Sequence, residues 1–239
     1  MKKKIFRACG LCAVAALFVT CSRRDAGDSK PASDPTEQLP AKFKTQEPVA
    51  KPDFSARAKS PQFQKAIKEA AILLGAQPQS LESQGEEEKV EGGVSFDVPR
   101  AKVEAILRLA HTNYLARGFY LFRYDHNFGI GGRPDKVGLL PTTNKFEVMA
   151  AMDTNGDNYD IGTAGVIAWM QELEREQPFV LTGIGFDYME GFFVEPVTNP
   201  DELAKRMYQF CPDIVDQGVG TVSKLANEVR NGRLYFWWD

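Results

Sequence analysis

Apolar positions along this chain recur with two periods, and each switch between them marks a boundary. From Pro61, residues Phe63, Ile67, Ala70, Ala71 and Leu74 share one helical face, and Gly75 ends the run. Residues 77–91 are polar and carry Glu86-Glu-Glu, which reads as a solvated loop. Val94, Phe96 and Val98 then alternate with polar residues, as a half-buried strand does. After Pro99 the period returns to helical, with Val103, Ile106, Leu107, Ala110 and Tyr114 in register and Gly118 at the end. Strands are expected at Phe119–Tyr124 and Val137–Leu140, on either side of a glycine-rich loop, His126–Pro134.

The second half continues the mixture. Asn144 with Glu147 resembles a capping box for a short helix through Met149. Val166, Ile167, Met170 and Leu173 mark a further helix, and residues 179–187 with 191–195 suggest a hairpin. Asn199-Pro200-Asp-Glu202 combines a cap, a proline at the first helical position and acids at the positive dipole end. That helix turns Leu203, Met207 and Phe210 inward and stops at Pro212. Thr221 caps a last helix carrying Val222, Leu225, Ala226 and Val229, closed by Asn231-Gly232. The tail Leu234–Trp238 reads as a final strand, with Leu234, Phe236 and Trp238 inward. Helices and strands interleave without a regular repeat, so the expected class is α+β: one domain over 61–239, with a mixed or antiparallel sheet packed by several short helices.

Residues before Pro61 have neither period. Pro31, Pro35, Pro40, Pro48 and Pro52 stand among Lys, Asp, Ser and Ala, so 21–60 reads as a disordered, proline-rich tether. Ahead of it, Lys2, Lys3 and Lys4 precede an apolar run from Ala8 to Thr20 that is short for a bilayer span. With Cys21 following, residues 1–20 resemble a bacterial lipoprotein signal peptide, although Phe18 and Thr20 stand where Leu and Gly or Ala are commoner. The resemblance implies cleavage before Cys21, its lipidation, and a membrane-anchored protein of the bacterial cell envelope facing the periplasm or exterior. A plain secretory signal or an uncleaved anchor is the alternative.

Removing Lys2, Lys3, Lys4 and Arg7 takes four positive charges from a chain of net charge −3 and leaves −7. An acidic protein lacks the basic face that releases counterions from phosphates, so no nucleic-acid partner is expected. Cys9 and Cys12 would leave with the signal, so Cys211 alone remains as a thiol in the domain, and no disulfide supports it.

The C-terminal stretch carries a second resemblance. Cys211-Pro-Asp213, Gln217-Gly218, Thr221, Leu225, Ala226 and Trp237-Trp-Asp239 are similar in order and type to the bacterial domain of unknown function 4253 family. Leu140-Pro141, Thr154-Asn-Gly156, Asn158-Tyr-Asp160 and Leu181-Thr-Gly-Ile-Gly185 extend the likeness over roughly Phe119–Asp239. It implies no particular activity, and the exported form departs from members that look cytoplasmic.

Chemistry is sparse. Asp153-Thr-Asn-Gly-Asp157 begins like a calcium loop, but an EF-hand needs Gly at position 6 and a bidentate acid at position 12, where Asn158 and Ala164 stand. Phe128-Gly-Ile-Gly-Gly-Arg lacks the spacing of either phosphate-binding glycine motif. Neither a metal nor a cofactor is expected. Cys211 is a candidate nucleophile and His126 its candidate base, while His111 falls on an apolar helix face. Asp213, Asp216, Gln217, Gly218, Trp237 and Asp239 are the candidate ligand-binding residues, acceptors beside aromatic walls. The function expected is an envelope-tethered binding or interaction module for a protein or small molecule. The alternative is an envelope hydrolase or other enzyme using Cys211, His126 or the Asp213 and Asp216 acids.

Overall fold

The computed structural model of this chain describes residues 39–83, 88–126 and 132–239. The expected signal peptide, Cys21 and the first part of the tether lie outside the described residues, as does most of the glycine-rich loop after His126.

Helix α1 spans Ser55–Ala58 and α2 Pro61–Leu74; strands β1 (Gln79–Glu82) and β2 (Lys89–Val98) follow, then α3 (Arg100–Ala116). Strands β3 (Tyr120–Asp125) and β4 (Asp135–Leu140) precede α4 (Lys145–Met152) and α5 (Thr163–Glu176). Strands β5 (Phe179–Ile184) and β6 (Tyr188–Phe193), α6 (Pro200–Phe210), α7 (Val222–Arg230) and β7 (Arg233–Trp237) complete the order. Among the described residues seven strands form one mixed sheet, β1-β2-β4-β3-β5-β6-β7, in which only the β3–β5 pair is parallel. This is the expected α+β single domain.

Local chemistry explains the helix ends. Ser60 Oγ accepts from Phe63 N–H, Asn199 Oδ1 from Glu202 N–H and Thr221 Oγ1 from Lys224 N–H, each satisfying one orphan donor of a first turn. Gly75 closes α2 at φ +65°, the left-handed geometry a C-terminal cap requires. Asn144 caps α4 through Phe146 N–H, but Glu147 does not complete the box: its carboxylate accepts from Thr142 and Arg57 instead.

Alternation along the strands builds a core on each face of the sheet. Phe96, Val98, Leu121, Val137 and Leu139 meet Phe63, Ala66, Val103 and Leu107 of α2 and α3. On the other face, Tyr120, Phe122, Leu181, Met189 and Phe236 meet α4 to α7. There the Trp169 and Phe210 rings stack at 4.3 Å, and Phe236 meets Phe210 edge-on at 5.3 Å.

Two expectations change. The polar stretch 77–91 contains β1 and the start of β2, paired as an antiparallel hairpin whose polar outer face hid it. The second concerns residues 39–60, read as tether, which instead form a strap on the domain with Leu39, Phe43 and Phe54 buried. The Phe43 carbonyl lies where a Cβ on Gly165 would come within 1.9 Å, and the Phe54 backbone where one on Gly92 would come within 2.6 Å. Burial of three large side chains, with the Phe43 and Phe54 backbone lying close over two glycines, outweighs a composition that reads as unstructured. Among the described residues, no helix is long and apolar enough to cross a membrane.

Candidate functional site

The candidate residues near the C-terminus fall around one carboxylate. Asp213 is buried and accepts from Tyr159 Oη at 2.6 Å, Gln217 Nε2 at 3.0 Å and the Asp239 N–H at 3.0 Å. Three neutral donors satisfy a buried charge and tie together the turn before α5, the segment after α6 and the end of β7. Gln217 thereby gains a structural role. Asp216 lies apart, accepting from Tyr208 at 3.1 Å. Gly218 sits at the kink of a wide helical turn over Ile214–Val219. Trp237 is half-buried and Trp238 buried, its ring packed against Gly156 and its Nε1 donating to the Phe210 carbonyl.

Cys211 is fully buried and its thiol donates to the Trp237 carbonyl at 3.0 Å. Burial pushes the thiol's pKa well up; the Trp237 and Ile214 backbone contacts lower it only in part, and the Asp213 charge raises it again. A nucleophilic cysteine needs the opposite, a cation and access. The thiol is a packing group that also occupies the outer edge of β7. His126 packs edge-on against Tyr188, and burial together with the Arg123 charge lowers its pKa. Asp153 and Asn155 act in the turn: Asp153 accepts from Thr163 Oγ1 at 2.6 Å and Asn155 Oδ1 from Asp157 N–H at 3.2 Å. Among the described residues no group of three or more His, Cys, Asp or Glu could hold a metal ion.

A second polar centre escaped the sequence reading. Register places Arg123 of β3 beside Gly183 of β5, Gly183 beside Glu190 of β6, and Glu190 beside Tyr235 of β7. Because Gly183 has no side chain, the Arg123 guanidinium reaches across β5 and binds both oxygens of Glu190. A Cβ on Gly183 would come within 2.4 Å of Glu190 Cγ. Arg123 also donates to Asp135 Oδ2 at 3.0 Å. Burial works against the guanidinium's charge, but the Glu190 and Asp135 carboxylates outweigh it and raise its pKa. One cation thus faces two carboxylates, and Asp135 Oδ1 and Tyr188 Oη are buried without a hydrogen-bond partner among the described residues. The signal available in the sequence was a charge inside each of two apolar strand runs, Arg123 and Glu190.

The same row opens outward. Phe192 is 46% exposed and Tyr235 36%, and Trp237 is half-buried beside them on this half of the sheet. Two hollows lie elsewhere, under the strap: one of about 280 Å³ near Phe43, Asp153 and Thr163, and one of about 400 Å³ near Val49, Phe146 and Ile167.

Residues 136–239 match the model of a family described as a domain of unknown function (DUF4253), which supports the domain family that the C-terminal residues suggest. The match begins later than Phe119, so Glu190 and Asp213 fall within it while Arg123 and Asp135 precede it. No curated protein and no solved structure matches the chain.

Proposed function

We propose that this protein is a non-enzymatic interaction module of the bacterial cell envelope, anchored through Cys21, which takes a protein partner on the outer half-face of β5, β6 and β7. The observation that supports this reading most is the exposed aromatic pair Phe192 and Tyr235, with half-buried Trp237, beside the Arg123–Glu190 pair. Exposed aromatics around a charge centre are the composition of protein-binding surfaces, whereas small-molecule sites are concave. An enzyme acting through Cys211 is the weaker reading, because its thiol is buried and held protonated. An enzyme acting through Asp213 would have to free a carboxylate already engaged by three donors.

The face is tested by a photo-crosslinking residue placed at Tyr235 or, as a control, at Lys205 on α6. The expected result is one discrete adduct from position 235, absent from 205 and abolished by Phe192→Asp. Equal crosslinking at both positions, or persistence in Phe192→Asp, removes the face. The anchor is tested separately: Cys21→Ala should move the protein from the high-salt-washed membrane fraction to the soluble one, and an unchanged distribution after the wash rejects lipidation as the anchor.

A further inference from the structure

The two helices on the opposite side of the α2/α3 core present an unusual outer surface. In α2 the buried stripe is Phe63, Ala66, Ala70 and Leu74, so Lys65, Lys68 and Ile72 point directly away from the sheet. In α3 the buried stripe is Val103, Leu107, Ala110 and Tyr114, which turns Lys102 and Leu109 outward. Ile72 and Leu109 are 83% and 81% exposed, and Leu73 adds a third exposed apolar side chain. The two helices carry five basic residues (Lys65, Lys68, Arg100, Lys102 and Arg108) against two acids, Glu69 and Glu104, in a chain whose net charge is −3. Both acids are engaged by bases, Glu104 by Arg108 at 3.3 Å and Glu69 by Arg117 at 2.5 Å.

We propose that the outer side of α2 and α3 is a contact surface for an anionic lipid bilayer, with Ile72 and Leu109 entering the headgroup layer and the lysines beside them meeting lipid phosphates. Isolated aliphatic side chains among lysines on a helix surface match an interfacial membrane contact. A second copy of the chain is disfavoured, since it would bring two positive surfaces together. A single-stranded nucleic acid would use aromatic stacking platforms, which this surface lacks in favour of aliphatics. The proposal is separate from the partner face on β5–β7. It uses the envelope reading only for the source of anionic lipid.

The test mixes the full chain with vesicles of phosphatidylglycerol or of phosphatidylcholine and measures maleimide labelling of single cysteines, with Cys9, Cys12 and Cys21 changed to Ser and Cys211 left buried. The probes are Ile72→Cys and Leu109→Cys, with Lys205→Cys on α6 as control. On phosphatidylglycerol, labelling at 72 and 109 should slow about tenfold relative to phosphatidylcholine, with 205 unchanged, and the triple change Lys65→Glu, Lys68→Glu, Lys102→Glu should remove the protection. These lysines are exposed, so circular dichroism should show the fold retained. Equal labelling on both vesicles, or equal protection at 205, overturns the proposal. Protection of 72 and 109 by duplex DNA as strong as by phosphatidylglycerol replaces lipid with nucleic acid as the partner.

Discussion

Asp213 and Arg123 are both buried charges, and the protein treats them in opposite ways. Around Asp213 one carboxylate meets three neutral donors, and both of its oxygens are engaged. Around Arg123 one cation meets two carboxylates, and among the described residues one oxygen each of Asp135 and Tyr188 has no hydrogen-bond partner. A satisfied centre has nothing further to gain from a ligand, because every polar atom already has its bond. A centre where two carboxylates share one cation and two oxygens lack partners among the described residues, next to exposed aromatics, still has something to gain. The Asp213 centre therefore reads as architecture, and the Arg123 centre as the place where stability has been conceded to recognition.

The sharpest way to break this comparison is to remove Arg123. Arg123→Met keeps the aliphatic stem but leaves Asp135, which has no exposed surface, beside Glu190 without a counter-charge. A destabilisation of about 3–5 kcal/mol is expected from the urea midpoint, and adding Asp135→Asn should restore part of it. Removing Asp213 costs less. Asp213→Ala strands three neutral donors, two of them side chains that can turn towards water, so about 1–3 kcal/mol is expected. If Asp213→Ala proves the more costly of the two, the roles assigned to the centres are reversed.

How visible each centre was in the sequence follows from how far its partners lie along the chain. Ser60, Asn199 and Thr221 were readable as caps because a cap and its helix lie within four residues. Gln217 with Asp213 was half-readable, being one helical turn apart. Arg123 and Glu190 are 67 residues apart and meet only because β3, β5 and β6 align over a glycine, a fact of tertiary register. The strap failed for a related reason. Its three anchoring side chains are too sparse to form a period, and the glycines that admit its backbone at Phe54 and Phe43, Gly92 and Gly165, lie on β2 and α5. The β1–β2 hairpin was missed because a polar stretch at a sheet edge carries little alternation. Composition reports what a segment could bury by itself, not what another segment has prepared for it.

Acidification gives the smallest effect but separates the two regions without a mutation, because both histidines belong to the β3 side. His111 Nδ1 donates to the Leu121 carbonyl at 2.8 Å, and its Nε2 is buried without a partner among the described residues. Since a carbonyl only accepts, Nδ1 carries the proton in the neutral ring. Protonation would add a second N–H facing no acceptor, and burial accordingly lowers the His111 pKa, as it does for His126, where the Arg123 charge adds to it. With the folded values below the unfolded one, the unfolded chain binds more protons as pH falls through about 6.5. Stability is therefore complete above that value and lost below it, by at most about 1.4 kcal/mol per pH unit for each histidine. Opposing this, Asp157 and Asp187 are raised by burial, but they act nearer the carboxylate range. Between pH 7 and 5.5, amide protection factors, corrected for the intrinsic exchange rate at each pH, should fall in β3 and β4 before β7, and His111→Gln should flatten the slope. Simultaneous loosening of β7 would mean that the two centres unfold as one unit and that the contrast between them has no energetic counterpart.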